Sequence, residues 1–207
     1  MKTEKPILTS TPMVQAILDG RKAQTRRIIK PQYEVSGSIW TSIKTKTWMY
    51  QSKIENCEFL LKVCPYGQVG DILWVRETWL KTMIRDEEGW FYIYIYRADC
   101  NEYDDYKGEW KPSIFMPKEA SRIKLEITDI RVERVQDISN ADIIAEGIKK
   151  IDGPVIGYPF GIPFNYNNGI ANYTTPREAY MELWESINGK GSWNKNPWVW
   201  CISFKRL

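Results

Sequence analysis

With 207 residues the chain is long enough to bury one sizeable core and short for two domains. Its 29 Lys and Arg against 26 Asp and Glu leave a formal charge of only +3, which excludes the global basic field of a long-duplex DNA binder. There is no histidine, which excludes His-containing zinc sites and any Ser-His-Asp or Cys-His apparatus.

In chain order, Pro-Ile-Leu-Thr-Ser at 6–10 reads as a short strand. Thr11-Pro12 then opens a helix, with Thr as cap and Pro at the first helical position, and Gly20 is placed to end it. Thr25 to Ile29 follows as an extended segment, stopped by Pro31. Residues 33–63 carry alternating patches that suggest one or two hairpins. Ile72 to Val75 is a strand that runs on through Arg76, Glu77, Thr78 and Trp79. Phe91 to Tyr96 alternates Ile with Tyr and is a strand, reached by a hairpin turn over Arg85 to Gly89. Residues 99–112 are acidic and turn-rich, as in an exposed loop.

Arg122 to Val135 alternates most clearly, with a phase slip near Thr128-Asp129 that predicts a bulge. Ser139 caps a short helix through Ala145. Residues 150–173, rich in Gly, Pro, Asn and Tyr, read as a long surface loop. Thr175-Pro176 opens the last helix, with Ala179, Tyr180, Leu183, Trp184 and Ile187 on its apolar side, and Trp198 to Phe204 is a closing strand. Many short strands with few helices suggest an α+β, mainly β fold: one domain, 1–207, as a closed or partly closed barrel with helices on its rim.

The four cysteines, Cys57, Cys64, Cys100 and Cys201, form no CxxC pair and read as free thiols in a reducing cytoplasm. No metal or cofactor is expected. Lys2 and Lys5 precede no apolar run, so no signal peptide is expected, and no stretch approaches the roughly 18 apolar residues of a membrane span. Ten Trp and twelve Tyr serve core packing and can also stack on bases.

Three groups of residues can carry chemistry. The first runs from Asp19 to Arg27 and holds Arg21, Lys22, Arg26 and Arg27 beside Thr25. If extended, Thr25 and Arg27 share one side and Arg26 takes the other, so a hydroxyl stands beside a guanidinium, which suits a phosphate or a base edge. A solvated basic turn is the plainer alternative. The second is Gly70 to Trp79, where Arg76 and Glu77 on an apolar strand are candidates for a pocket rim, with Trp79 as a stacking ring, against a surface cross-strand pair. The third is Glu146 before Gly147, which by itself is an ordinary helix end.

Gly20-Arg21-Lys22-x-x-Thr25-x-Arg27, Gly70-Asp71-x-Leu73-x-Val75 and Ala145-Glu146-Gly147, in this order, resemble the signature segments of ASCH domains, a branch of the PUA-like β-barrels. The third follows Glu126-Ile127-Thr128-Asp129-Ile130, similar to the Ile-Thr-x-Ile strand of those domains. Segments at about 32–66, 80–121 and 150–174 exceed a minimal ASCH domain, and Cys64-Pro65-Tyr66-Gly67 with Val75 to Trp79 resembles a larger subgroup of bacteriophages and prophages. The resemblance implies a PUA-like barrel, a bacterial cytoplasmic setting, and a cleft for a nucleobase, nucleotide, RNA or single-stranded nucleic acid. One bacterial branch removes the acetyl group of N4-acetylcytidine with a Lys, a Thr and a Glu, which match Lys22, Thr25 and Glu146; others are ribonucleases.

In that mechanism a desolvated Lys22 among Arg21, Arg26 and Arg27 has its pKa lowered, while Glu146 raises it, so the sign of the shift stays open. Neutral Lys22 takes the proton of Thr25 or of a water. The alternatives are a binding module without chemistry, gripping its ligand through Lys22, Arg26, Arg27 and Arg76, and a protein-interaction domain. An enzyme requires Lys22, Thr25 and Glu146 to converge on one cavity, and Lys22→Ala, Thr25→Ala and Glu146→Gln are expected to spare the thermal transition.

Overall fold

The computed structural model describes residues 2–32, 40–41, 48–51, 59–100, 108–150, 160–166, 169–173 and 175–207. Along them run β1 (Glu4–Leu8), α1 (Thr11–Leu18), β2 (Gln24–Ile28), β3 (Trp40–Thr41), β4 (Trp48–Gln51) and β5 (Phe59–Lys62). Then come β6 (Ile72–Arg76), β7 (Trp79–Arg85), β8 (Trp90–Tyr96), β9 (Lys124–Arg134) and α2 (Asn140–Ala145). The chain closes with β10 (Lys149–Lys150), β11 (Phe160–Tyr166), β12 (Gly169–Tyr173), α3 (Pro176–Asn188) and β13 (Trp198–Arg206). The fold is therefore mixed α+β and mainly β.

The central sheet has the order β1-β6-β9-β13-β2; β1 and β6 are parallel and the other pairs antiparallel. β1 and β2 are its edges, and no pairing among the described residues joins them, so the sheet is not a closed barrel, the fuller of the two expected forms. α1, which connects the two edge strands, places Val14 and Ile17 in the core with Ile7, Leu73, Val75, Leu125, Trp200 and Ile202. A second cluster joins α2 and α3 to Met13 and Val199, through Ile143, Ala179, Tyr180, Leu183 and Trp184.

The slip in β9 is real. Opposite it Ser203 pairs with Asp129 and Phe204 with Ile127, leaving Thr128 as the extra residue of a bulge. Leu125 and Ile127 are buried on one side of it, and Ile130 and Val132 pack on the core from the other. The caps of the second and third helices form as expected: the Ser139 hydroxyl accepts from the Asp142 N–H, and Thr175 and Glu178 make a reciprocal capping box. α1 begins one residue earlier than expected, with Ser10 as its cap.

Two segments differ from expectation. The strand from Ile72 stops at Arg76, because the Glu77 N–H turns to Met116 Sδ at 3.2 Å instead of the ladder. β7 then leaves the sheet and pairs with β8 as a two-stranded ribbon, turned by Asp86 N–H to the Gly89 carbonyl at 3.0 Å. The stretch expected as a long loop holds the antiparallel sheet β10-β11-β12. Phe160, Ile162, Phe164 and Tyr166 do alternate there, but Gly161, Pro163 and Asn165 disguise the period; Pro163 lies where the register shifts, as a residue without an N–H must. β3, β4 and β5 form an antiparallel meander in the expected hairpin region. The alternating patch at 38–39, Cys57 and most of the acidic loop at 101–107 lie outside the described residues. Among the described residues no helix is long and apolar enough to cross a membrane.

Candidate functional site

β2 reads Gln-Thr-Arg-Arg-Ile, a polar sequence for a strand of a central sheet, yet Gln24, Thr25 and Arg26 are buried. A buried guanidinium needs counter-charge. Three elements provide it: Arg26 pairs closely with Glu133 of β9, with Asp142 of α2 at 3.2 Å, and with Glu146, just beyond α2, at 3.2 Å. It also donates to Gln24 Oε1 at 2.6 Å. Arg131 completes the network against Asp142 at 2.8 Å and Glu133 at 3.1 Å.

Glu146 is held against Lys22 by the local backbone. Gly147 follows it with φ +99°, and a Cβ there would lie 3.1 Å from Ala16 Cβ and 3.3 Å from Lys22 Cβ. Only glycine takes that conformation and that proximity without strain. The Ala23 N–H donates to the Ala145 carbonyl at 2.8 Å, and Lys22 bridges to Glu146. The Lys22 ammonium donates to Glu146 Oε2 and to the Glu146 carbonyl, both at 2.7 Å. Lys22 is 8% and Glu146 4% exposed.

Burial pushes the Lys22 pKa below the ordinary lysine value; the Glu146 carboxylate opposes this, and Arg27 and Arg26 add to it. The sign left open by the sequence is therefore downward. Burial also works against charge on Arg26, but Glu146 and the other anionic neighbours outweigh it and hold the guanidinium protonated. Burial pushes the Tyr180 phenol well above its usual range.

These groups open on a cavity of about 800 Å3, within the range of small-molecule sites. Lys22, Thr25, Arg26, Arg27 and Glu146 line it on one side. Leu8 to Met13, at the junction of β1 and α1, line a second, and Tyr180, Leu183, Trp184 and Ile187 of α3 form an apolar wall. Thr78 and Ser113 also line it. The Arg27 Nε and Trp184 Nε1 have no hydrogen-bond partner among the described residues. The arrangement offers a lysine whose proton is loosened by burial, a hydroxyl on the same cavity, an Arg26 guanidinium already compensated by carboxylates, and a ring-bearing wall on which a planar ligand can pack.

Lys22, Thr25 and Glu146 thus converge, with Arg26 and Arg27 beside them. The other sequence candidates lie elsewhere. Arg21 turns back to Asp19 at 2.8 Å and to the Gly147 carbonyl at 3.0 Å, where it braces the turn. Arg76 donates to the Ile114 carbonyl and lies over the Trp74 ring. Glu77 is buried in a two-pronged pair with Arg122, at 3.0 and 3.1 Å. Trp79 packs on Met116 and Ala120 in a small core of its own. The break after Arg76 takes all three away from the cavity lining, and Thr78 alone of that segment reaches it.

Sequence reasoning missed Arg131 and Glu133, whose signal was charge on a strand that also carries core residues, and Asp142, an acidic residue in the first turn of α2. It placed Tyr180 and Trp184 on the apolar side of the last helix without assigning them to the site; helical spacing identifies an apolar face but not the cavity that the face borders. Comparison of the chain with protein-family models, with curated proteins and with solved structures finds no match.

Proposed function

We propose that the cavity takes up a nucleobase or nucleoside, and that Lys22, Thr25 and Glu146 hydrolyse an exocyclic amide on it. The reading carries the ASCH resemblance forward, with a PUA-like fold and a bacterial cytoplasmic setting as parts of the same proposal. The observation that supports it is the convergence of a buried Lys22–Glu146 pair and Thr25 on one cavity. Charge supports a neutral ligand group at the floor: Lys22 and Arg26 are already paired with carboxylates.

In this reading deprotonated Lys22 removes the Thr25 hydroxyl proton as the oxygen attacks the amide carbonyl. The C–N bond breaks, Lys22 returns the proton to the leaving amine, and water then cleaves the threonyl ester to release the carboxylic acid. Arg26 and Glu146 are positioning residues that fix the Lys22 amine.

A second reading is binding without turnover. It is favoured by the Lys22 ammonium, which spends two hydrogen bonds on Glu146. The deciding experiment incubates the protein with N4-acetylcytidine and other acylated nucleosides, read by mass spectrometry and thermal shift. Conversion that is lost in Thr25→Ala supports the hydrolase. Stabilisation without conversion supports the binding module. No response to any nucleoside overturns both.

A further inference from the structure

We infer that the β7–β8 ribbon is a track for single-stranded nucleic acid. The track rests on the ribbon alone, separately from the nucleoside reading above. Register pairs Trp79 with Tyr96, Lys81 with Tyr94, Met83 with Tyr92 and Arg85 with Trp90. Because side chains alternate, these eight residues share one face: an aromatic ladder on β8 beside two cations on β7.

The inner end of the ladder is fixed. Trp79 is buried and meets Tyr94 edge-on at 5.6 Å, and the Tyr96 hydroxyl donates to the Ala120 carbonyl at 2.8 Å. The outer end is bare: Tyr92 is 66% and Trp90 63% exposed. Lys81 Nζ lies 4.7 Å from the Tyr92 ring and 5.7 Å from that of Tyr94, and the Arg85 guanidinium lies 6.0 Å from that of Trp90. Rings that offer a face to successive bases, with cations between them for the phosphates, are the chemistry of single-strand binding. The rings, Met83 and Arg85 would also suit a protein interface core, from which lysine is depleted; Lys81 in mid-ladder favours a phosphate backbone.

The acidic turn sets the direction. Asp86, Glu87 and Glu88 cover the tip, where Asp86 Oδ1 accepts from Glu88 and Gly89 at 2.9 and 3.1 Å. Phosphates are repelled there, which favours a strand that runs from the rings toward the base of the ribbon. The path spans about 20 Å, at ~3.3 Å per strand residue.

The test measures binding of the full chain to labelled oligouridylate of about twelve nucleotides by fluorescence anisotropy, across a salt series. A blunt RNA duplex and sedimentation of the protein alone serve as controls. Trp90→Ala with Tyr92→Ala is expected to weaken binding about tenfold or more, while Trp90→Phe with Tyr92→Phe retains it. Lys81→Ala with Arg85→Ala is expected to flatten the log–log salt slope by about 1.4. None of these variants should alter the response to free nucleosides. Oligouridylate binding that is absent, indifferent to all these variants, or no tighter than duplex binding overturns the track. So does self-association of the wild type that the ring variants abolish, which would make the ribbon a protein interface. Ribbon-dependent oligonucleotide binding without any nucleoside response leaves the track standing and removes the nucleoside reading.

Discussion

Lys22 and Glu146 meet through a backbone bridge, through a hydrogen bond from the ammonium to the Glu146 carbonyl, and through an ion pair of 2.7 Å between their buried side chains. Since Glu146 also faces Arg26 at 3.2 Å, one carboxylate serves two buried cations. Glu146→Gln therefore leaves two cations short of charge. The expected cost is about 3 kcal/mol, or a transition lowered by roughly 6–12 °C for a chain of this size. Calorimetry checks it. The sequence alone predicts an unchanged transition for this variant; burial of the cluster reverses that expectation. Thr25→Ala, which removes no charge, is the cleaner probe of turnover.

The pH dependence follows from the lowered pKa of Lys22. Between its folded value and 10.5, the ordinary lysine value, the unfolded chain holds a proton that folded Lys22 has released. Stability contributed by this group therefore rises with pH across that window and is flat below it. The difference in urea midpoint between wild type and Lys22→Met, followed against pH, isolates the effect. If Lys22 is the base, kcat/KM for an acylated nucleoside rises with pH along a limb below 10.5.

Glu77 and Arg122 are a strut rather than part of a binding rim. Glu77 is fully buried, Arg122 extends the pair to Asp99 at 2.9 Å, and its guanidinium lies 4.0 Å from the centre of the Tyr96 ring. Glu77→Gln is expected to cost about 2–3 kcal/mol of stability, while nucleoside affinity by isothermal calorimetry stays at the wild-type value. A matching loss of affinity would return Glu77 to the site.

The buried thiols are expected to be inert. Burial pushes Cys64 up to about 11 and Cys201 further still, so little thiolate forms near neutrality. Peptide mapping after iodoacetamide at pH ~8 is expected to find both slowly labelled in the native protein and rapidly labelled in urea. Fast native labelling of Cys201 would mean that the layer beneath Arg26 opens in solution.

Much of this fold could be read from local pattern. The alternation of Arg122 to Val135, its slip at Thr128, the caps Ser139 and Thr175 and the closing strand depend on neighbours in sequence, and the structure repeats them. The β11–β12 strands escaped because Gly161, Pro163 and Asn165 carry turn signals that outweigh a period of two. Conversely, Arg76 and Glu77 stand in the sequence as candidates for a rim, with Trp79 as a stacking ring, because nothing local announces that the strand breaks at Arg76 and that β7 pairs elsewhere.

The sequence by itself determined which residues bear charge beside a hydroxyl, Lys22, Thr25, Arg26 and Arg27, and that Glu146 ends a helix before a glycine. Only the tertiary structure decided that Glu146 faces Lys22 across 124 positions, that Arg26 is neutralised from β9 and α2, and that α3 walls the cavity over them. The reason is physical. Alternation, capping and turn chemistry act between residues a few positions apart, whereas desolvation and pairing of a buried charge depend on which distant elements the packed core brings together.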